Sequence, residues 1–87
     1  MKIKEGFILR EVAGSYIVVA VGDAVKNFNG IIKLNQTSAF LWEKLVKGAT
    51  KEQLVEALLG EYDVEKDVAE KGVKSFINTL IKANLIG

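Results

Sequence analysis

Two short runs of β-branched and aromatic residues, Phe7 to Val12 and Tyr16 to Val21, open the chain with only Ala13-Gly14-Ser15 between them. Gly14 can take the positive φ of a tight reversal, so the pair reads as an antiparallel hairpin. Gly22-Asp23 breaks the apolar run, and Ala24 to Phe28 carries only a weak strand pattern. Asn29-Gly30 is the strongest short hairpin dipeptide, and it leads into Ile31-Ile32-Lys33-Leu34, a short third strand.

Beyond Leu34 the apolar period changes from two to that of a helix. Asn35-Gln36-Thr37-Ser38 supplies side-chain oxygens that cap a helix start, and Ala39, Leu41, Trp42, Leu45 and Val46 recur until Gly48 stops the element. Thr50 and Gln53 have the spacing of a capping box for a second helix, with Leu54, Val55, Leu58 and Leu59 on its apolar face and Gly60 at its end. A third helix is expected after Asp63-Val64 and as far as about Ala83. Glu65, Asp67 and Glu70 lie near its start and Lys71, Lys74 and Lys82 beyond, the order that complements the helix dipole. Asn84 suits a left-handed C-cap, with Leu85 and Ile86 folding back onto the core.

The apolar arc of this third helix is broad. With Val68 at zero on a wheel of about 100° per residue, Ala69, Val73, Phe76 and Leu80 fall between about 80° and 140°, Ile77 near 180° and Ile81 near 220°. Two readings follow. Either the first two helices flank the third on both sides, or Val73, Ile77 and Ile81 form one wall of a groove that a partner fills. The third strand adds a matching feature, because a three-stranded sheet leaves edges with unpaired N–H and C=O groups. Lys33 protects such an edge against aggregation, and the same edge can accept an extended peptide as an added strand, or a second copy of this chain.

Composition then removes chemistry. The chain has 87 residues, 49% hydrophobic and 26% charged, enough for one domain with one core. It has no Cys and no His, so thiolate nucleophiles, imidazole bases, disulfides and the usual zinc sites are excluded. Carboxylates Glu61, Asp63, Glu65 and Asp67 lack the ligand order, the central Gly and the closing Glu of a calcium loop. Twelve basic against 11 acidic residues leave a net charge of +1, and Arg10 is the only arginine. That balance argues against a nucleic-acid partner, which selects a basic face rich in guanidinium groups. Met1 to Gly6 has no signal-like apolar run and no segment is long enough to span a bilayer, so a cytoplasmic protein without a membrane partner is expected.

The stretch Phe28-Asn29-Gly30-Ile31-Ile32-Lys33-Leu34-Asn35-Gln36-Thr37-Ser38-Ala39-Phe40-Leu41-Trp42-Glu43-Lys44-Leu45 resembles the PqqD-like proteins, also called RiPP recognition elements. The likeness continues in Gly48-Ala49-Thr50, in Glu61-Tyr62-Asp63-Val64 and in Leu80 to Leu85. It implies an α+β, winged helix-turn-helix-like fold, a three-stranded antiparallel sheet followed by three helices, in a single domain over residues 1–87. It also implies a binding protein with no catalytic activity and no cofactor. Members bind the leader segment of a ribosomally made precursor peptide and present it to a modifying enzyme, often a radical S-adenosylmethionine protein. The leader lies as an extra antiparallel strand along the third strand and against the third helix. Carried over, the peptide-binding residues are Ile31, Ile32, Lys33 and Leu34 on the strand and Val73, Lys74, Ile77 and Ile81 on the helix. The competing reading from the residues is a winged-helix DNA-binding regulator. Its helices would offer Lys51, Glu52, Gln53 and Glu56, or Lys66, Glu70, Lys71 and Lys74, which mix signs and include no Arg. A carboxylate-dependent enzyme has no acidic pair in an apolar setting to support it.

Overall fold

The computed structural model describes residues 1–28 and 31–86. Strands β1 (Phe7–Val12), β2 (Ser15–Ala20) and β3 (Ile32–Leu34) form one antiparallel sheet in the order β1-β2-β3. Ala13 and Gly14 both have positive φ, 51° and 80°, which is the two-residue turn that matches the twist of a hairpin. Ser15 therefore pairs with Val12 instead of sitting in the loop, and β2 starts and ends one residue earlier than the apolar run suggests. Below the hairpin, the Val21 amide donates to the Gly6 carbonyl at 2.7 Å. Gly6 has φ +94°, and a Cβ there would lie 2.6 Å from that of Ala24, so no other residue fits without displacement.

The segment after β2, weak in strand pattern, is a 3-10 helix, Gly22–Asn27. Positive φ at Gly22 turns the chain out of the sheet, and Phe28 then packs edge-on against Phe7, ring centroids 5.3 Å apart. The Asn29-Gly30 hairpin signal lies outside the described residues. Ile31 precedes the strand, which starts at Ile32.

Three helices follow: α1 (Gln36–Lys47), α2 (Lys51–Glu61) and α3 (Lys66–Lys82). The Asn35 side chain accepts from the Ser38 amide at 2.7 Å, and Gly48 closes α1 with φ +95°. Thr50 and Gln53 make both bonds of the capping box, at 3.1 and 2.9 Å. Gly60 does not stop α2, which continues through it to Glu61 and is capped at Tyr62. At the far end Asn84 takes φ 62°, its amide donates to the Ile81 carbonyl and that of Leu85 to Leu80, the paired bonds of a Schellman motif.

Val18 and Leu34 of the sheet meet Leu41, Trp42 and Leu45 of α1, Leu54 and Leu58 of α2, and Val73, Phe76 and Leu80 of α3 in one core. Leu85 folds back into it, fully buried, as the C-cap predicts. Among the described residues no polar or charged side chain is buried, so apolar burial is the main source of cohesion. Ile3 pairs with Ile86, and the Lys4 amide donates to the Leu85 carbonyl at 2.8 Å, tying the first residues to the segment after the last helix. No helix of the described residues is long and apolar enough to cross a membrane.

Candidate functional site

The sheet order leaves β3 at an edge, and the register says which of its main-chain groups are free. Hydrogen-bonded and non-bonded pairs alternate along an antiparallel ladder. The bonded contact of Val21 with Gly6 and the tight turn between Val12 and Ser15 set that phase. Ser15, Ile17 and Val19 therefore bond β1, and Tyr16 and Val18 bond their β3 partners Leu34 and Ile32. Lys33, opposite Ile17, is left with its N–H and C=O directed away from the sheet. Its side chain lies on the face opposite to the core, while Ile32 and Leu34 point toward the helices.

A groove of about 300 Å³ runs beside this edge. Lys33, Leu34, Asn35, Ser38 and Leu41 form one side, and Gly72, Ser75, Phe76 and Thr79 of α3 form the other. The α3 residues are one stripe at i, i+3, i+4 and i+7. Buried Leu34, Leu41 and Phe76 provide apolar surface along it, whereas Gly72, Ser75 and Thr79 are exposed small residues that keep it open. The Thr79 hydroxyl donates to the Ser75 carbonyl at 3.0 Å, so it is already engaged within the helix. Val68, 55% exposed, lies on the same stripe one turn earlier.

Of the strand residues expected from the sequence, Lys33 and Leu34 line the groove, while Ile32 opens the strand and Ile31 lies ahead of it at 67% exposure. The helix face needs correction. Val73 and Ile77 are 0% and 8% exposed, part of the core where α3 packs against α2. Ile81, 57% exposed, sits on the far border of the apolar arc, more than about 100° round the helix from the Gly72 stripe. Lys74 lines a second depression with Lys71, Asn78 and Lys82, which shares Ser75 and Thr79 with the groove. The broad arc therefore divides: Ala69, Val73, Phe76, Ile77 and Leu80 are core, and Val68 and Ile81 are its two uncovered borders. The signal that marks the groove was present in the sequence as small residues at Gly72, Ser75 and Thr79, a helical spacing that apolar counting passes over.

A three-stranded antiparallel sheet backed by three helices, open at one edge and grooved along it, is a small α+β domain with the geometry for strand addition. The chain belongs to the PqqD family: the family model described as coenzyme PQQ synthesis protein D (PqqD) matches residues 8–86. Two solved structures share the fold. One is TbiB1 in complex with the TbiA(beta) leader peptide, with a TM-score of 0.76 at 20% identity over 98% of this chain and 93% of that one. The other is lasso peptide synthetase B1 complexed with the leader peptide, with a TM-score of 0.74 at 18% identity over 97% and 93%. No curated protein matches the chain significantly.

Proposed function

We propose that this protein is a non-catalytic accessory protein that binds the leader segment of a ribosomally made precursor peptide as an added strand on the free edge of β3. The observation that carries this reading is the outward main chain of Lys33 beside a groove with apolar walls. Main-chain bonds to Lys33 supply affinity that is indifferent to sequence, and alternate side chains of the peptide enter the groove and supply specificity. Membership of the PqqD family and the likeness to two proteins solved with leader peptides support it. The bound leader would hold the rest of the precursor for a modifying enzyme of the radical S-adenosylmethionine class, in the cytoplasm where the precursor is made. The same edge is open to a second copy, so homodimer formation and leader binding compete for it.

The test uses a leader encoded beside the gene, labelled and followed by fluorescence anisotropy, with wild type, Lys33→Pro and Ile32→Pro. Proline at 33 removes an N–H that no strand of this chain uses, so the sheet is retained. The loss of one main-chain bond, with the peptide carbonyl left unpaired, weakens the leader by roughly tenfold or more. Proline at 32 removes a bond to β2 and instead lowers the thermal midpoint. Unchanged affinity in a folded Lys33→Pro protein would sink the strand-addition reading. Light scattering on the same samples reports whether the leader shifts a dimer to monomer.

A further inference from the structure

The lysines of α3 stand unevenly around the groove. Lys71, Lys74 and Lys82 line a depression of about 340 Å³ that merges with the groove at Ser75 and Thr79. Lys33 belongs to the opposite wall, and its side chain stands on the outer face of the sheet, where alternate side chains of an added strand also stand. No carboxylate lines either depression. By contrast, the space between α2 and α3 mixes Glu52, Glu56 and Glu70 with Lys51 and Lys66, and those beside β1 hold Glu43 with Lys47 and Glu43 with Glu61. Among the described residues the one ion pair is Lys26 with Asp23, so none of the four lysines has a described carboxylate within salt-bridge distance, and Asp67 and Glu70 stand one turn before Lys71 and Lys74 on α3. A protein of net charge +1 therefore places four lysines along one groove and the depression that joins it, neither of them lined by a carboxylate.

We propose that the peptide this groove takes is acidic, an extended segment whose carboxylates meet Lys33, Lys71, Lys74 and Lys82 while its apolar side chains enter over Leu34, Leu41 and Phe76. This rests on strand addition at β3. Lys71 and Lys82 are separated by about 16 Å along the helix axis, with Lys74 between them. An extended peptide covers that length with about five residues. Along the axis, every point between Lys71 and Lys82 is then within about 8 Å of a lysine, the screening length at physiological ionic strength. A peptide is favoured over a polyanionic nucleic acid by the floor and the edge: the free Lys33 amide and carbonyl need a main-chain partner, and the groove walls include three buried apolar side chains. The only guanidinium, on Arg10, lies on β1 at the other side of the sheet.

Two short synthetic peptides discriminate, alike in their alternate apolar residues and differing in Glu or Lys between them. Each is titrated into the isotopically labelled protein at low and high salt while backbone amide shifts are followed. The Glu peptide should bind roughly tenfold more tightly than the Lys peptide and move the amides of Lys33 and Gly72, with the preference shrinking as salt rises. Combined Lys71→Glu, Lys74→Glu and Lys82→Glu should invert the preference, and the three Lys→Gln changes should abolish it while disturbing the helix dipole less. Equal binding of both peptides at the β3 edge would overturn the acidic specificity and leave strand addition standing. Shifts confined to the lysine stripe, or matched by a single-stranded oligonucleotide, would overturn it as mere charge association. Peptides that leave the β3 amides unmoved would remove the strand-addition reading together with it.

Discussion

Gly72 is the residue at which stability and binding should move in opposite directions. It lies in the interior of α3, and a Cβ built on it meets no atom within 4 Å. A helical glycine in open space is replaced by alanine with a gain of about 0.8–1.0 kcal/mol, because the unfolded chain loses freedom and the helix loses nothing. For a domain of this size that gain raises the thermal midpoint by roughly 3–8 °C. Yet the space around Gly72 belongs to the groove beside β3, so the new methyl projects toward the position proposed for the peptide. Crowding a packed contact by one methyl group costs about 1–3 kcal/mol, which is a loss of roughly fivefold to a hundredfold in leader affinity. Gly60 supplies the control: it too is helical, with nothing within 4 Å, but it lies on α2 and away from the groove. Gly60→Ala should stabilise up to the same extent and leave binding unchanged. Thermal melts by circular dichroism and leader titrations by anisotropy measure both quantities. If Gly72→Ala binds the leader as tightly as wild type, the peptide does not pass over this stripe. A lower melting point would contradict the helical account of the residue itself.

Two further outcomes concern the scaffold. Trp42 is buried on α1, and Trp42→Ala should remove about 3–5 kcal/mol, most of the stability of a small domain, seen as loss of a cooperative melt. The wild-type indole should emit at short wavelength and resist quenching by iodide. Thr50→Ala deletes the acceptor for the Gln53 amide and half of the capping box, so urea unfolding should show a loss of about 1 kcal/mol with little change in leader affinity.

Elements whose signals are local were legible in the sequence. The hairpin residues, the Asn35 and Thr50 caps, the stop at Gly48 and the left-handed Asn84 each rest on bonds or backbone angles within a few residues. Where neighbouring elements supply the decisive energy, local signals do not suffice. The Ala24 to Phe28 segment carries strand-like residues, but the turn at Gly22 and the contact of Phe28 with Phe7 direct it into a 3-10 helix. Gly60 has the identity of a helix stop, and α2 runs through it.

The candidate site divides in the same way. A short apolar strand with one lysine, following a hairpin, already marked β3 as an edge, because edge character depends on strand order and length. Which face of α3 borders that edge could not be derived from its own periodicity, since every apolar residue on a helix is equally eager to leave water. Packing against α2 and the sheet takes Val73 and Ile77 into the core, and the turn of the helix then presents Gly72, Ser75, Phe76 and Thr79 to β3. The residues by themselves determined an α+β chain of three strands and three helices and removed the chemistry that needs His or Cys. Tertiary structure alone decided the rotation of the last helix, because rotation is set by close contact between elements distant in sequence, and it placed the groove on a stripe of small residues beside a depression lined by three lysines.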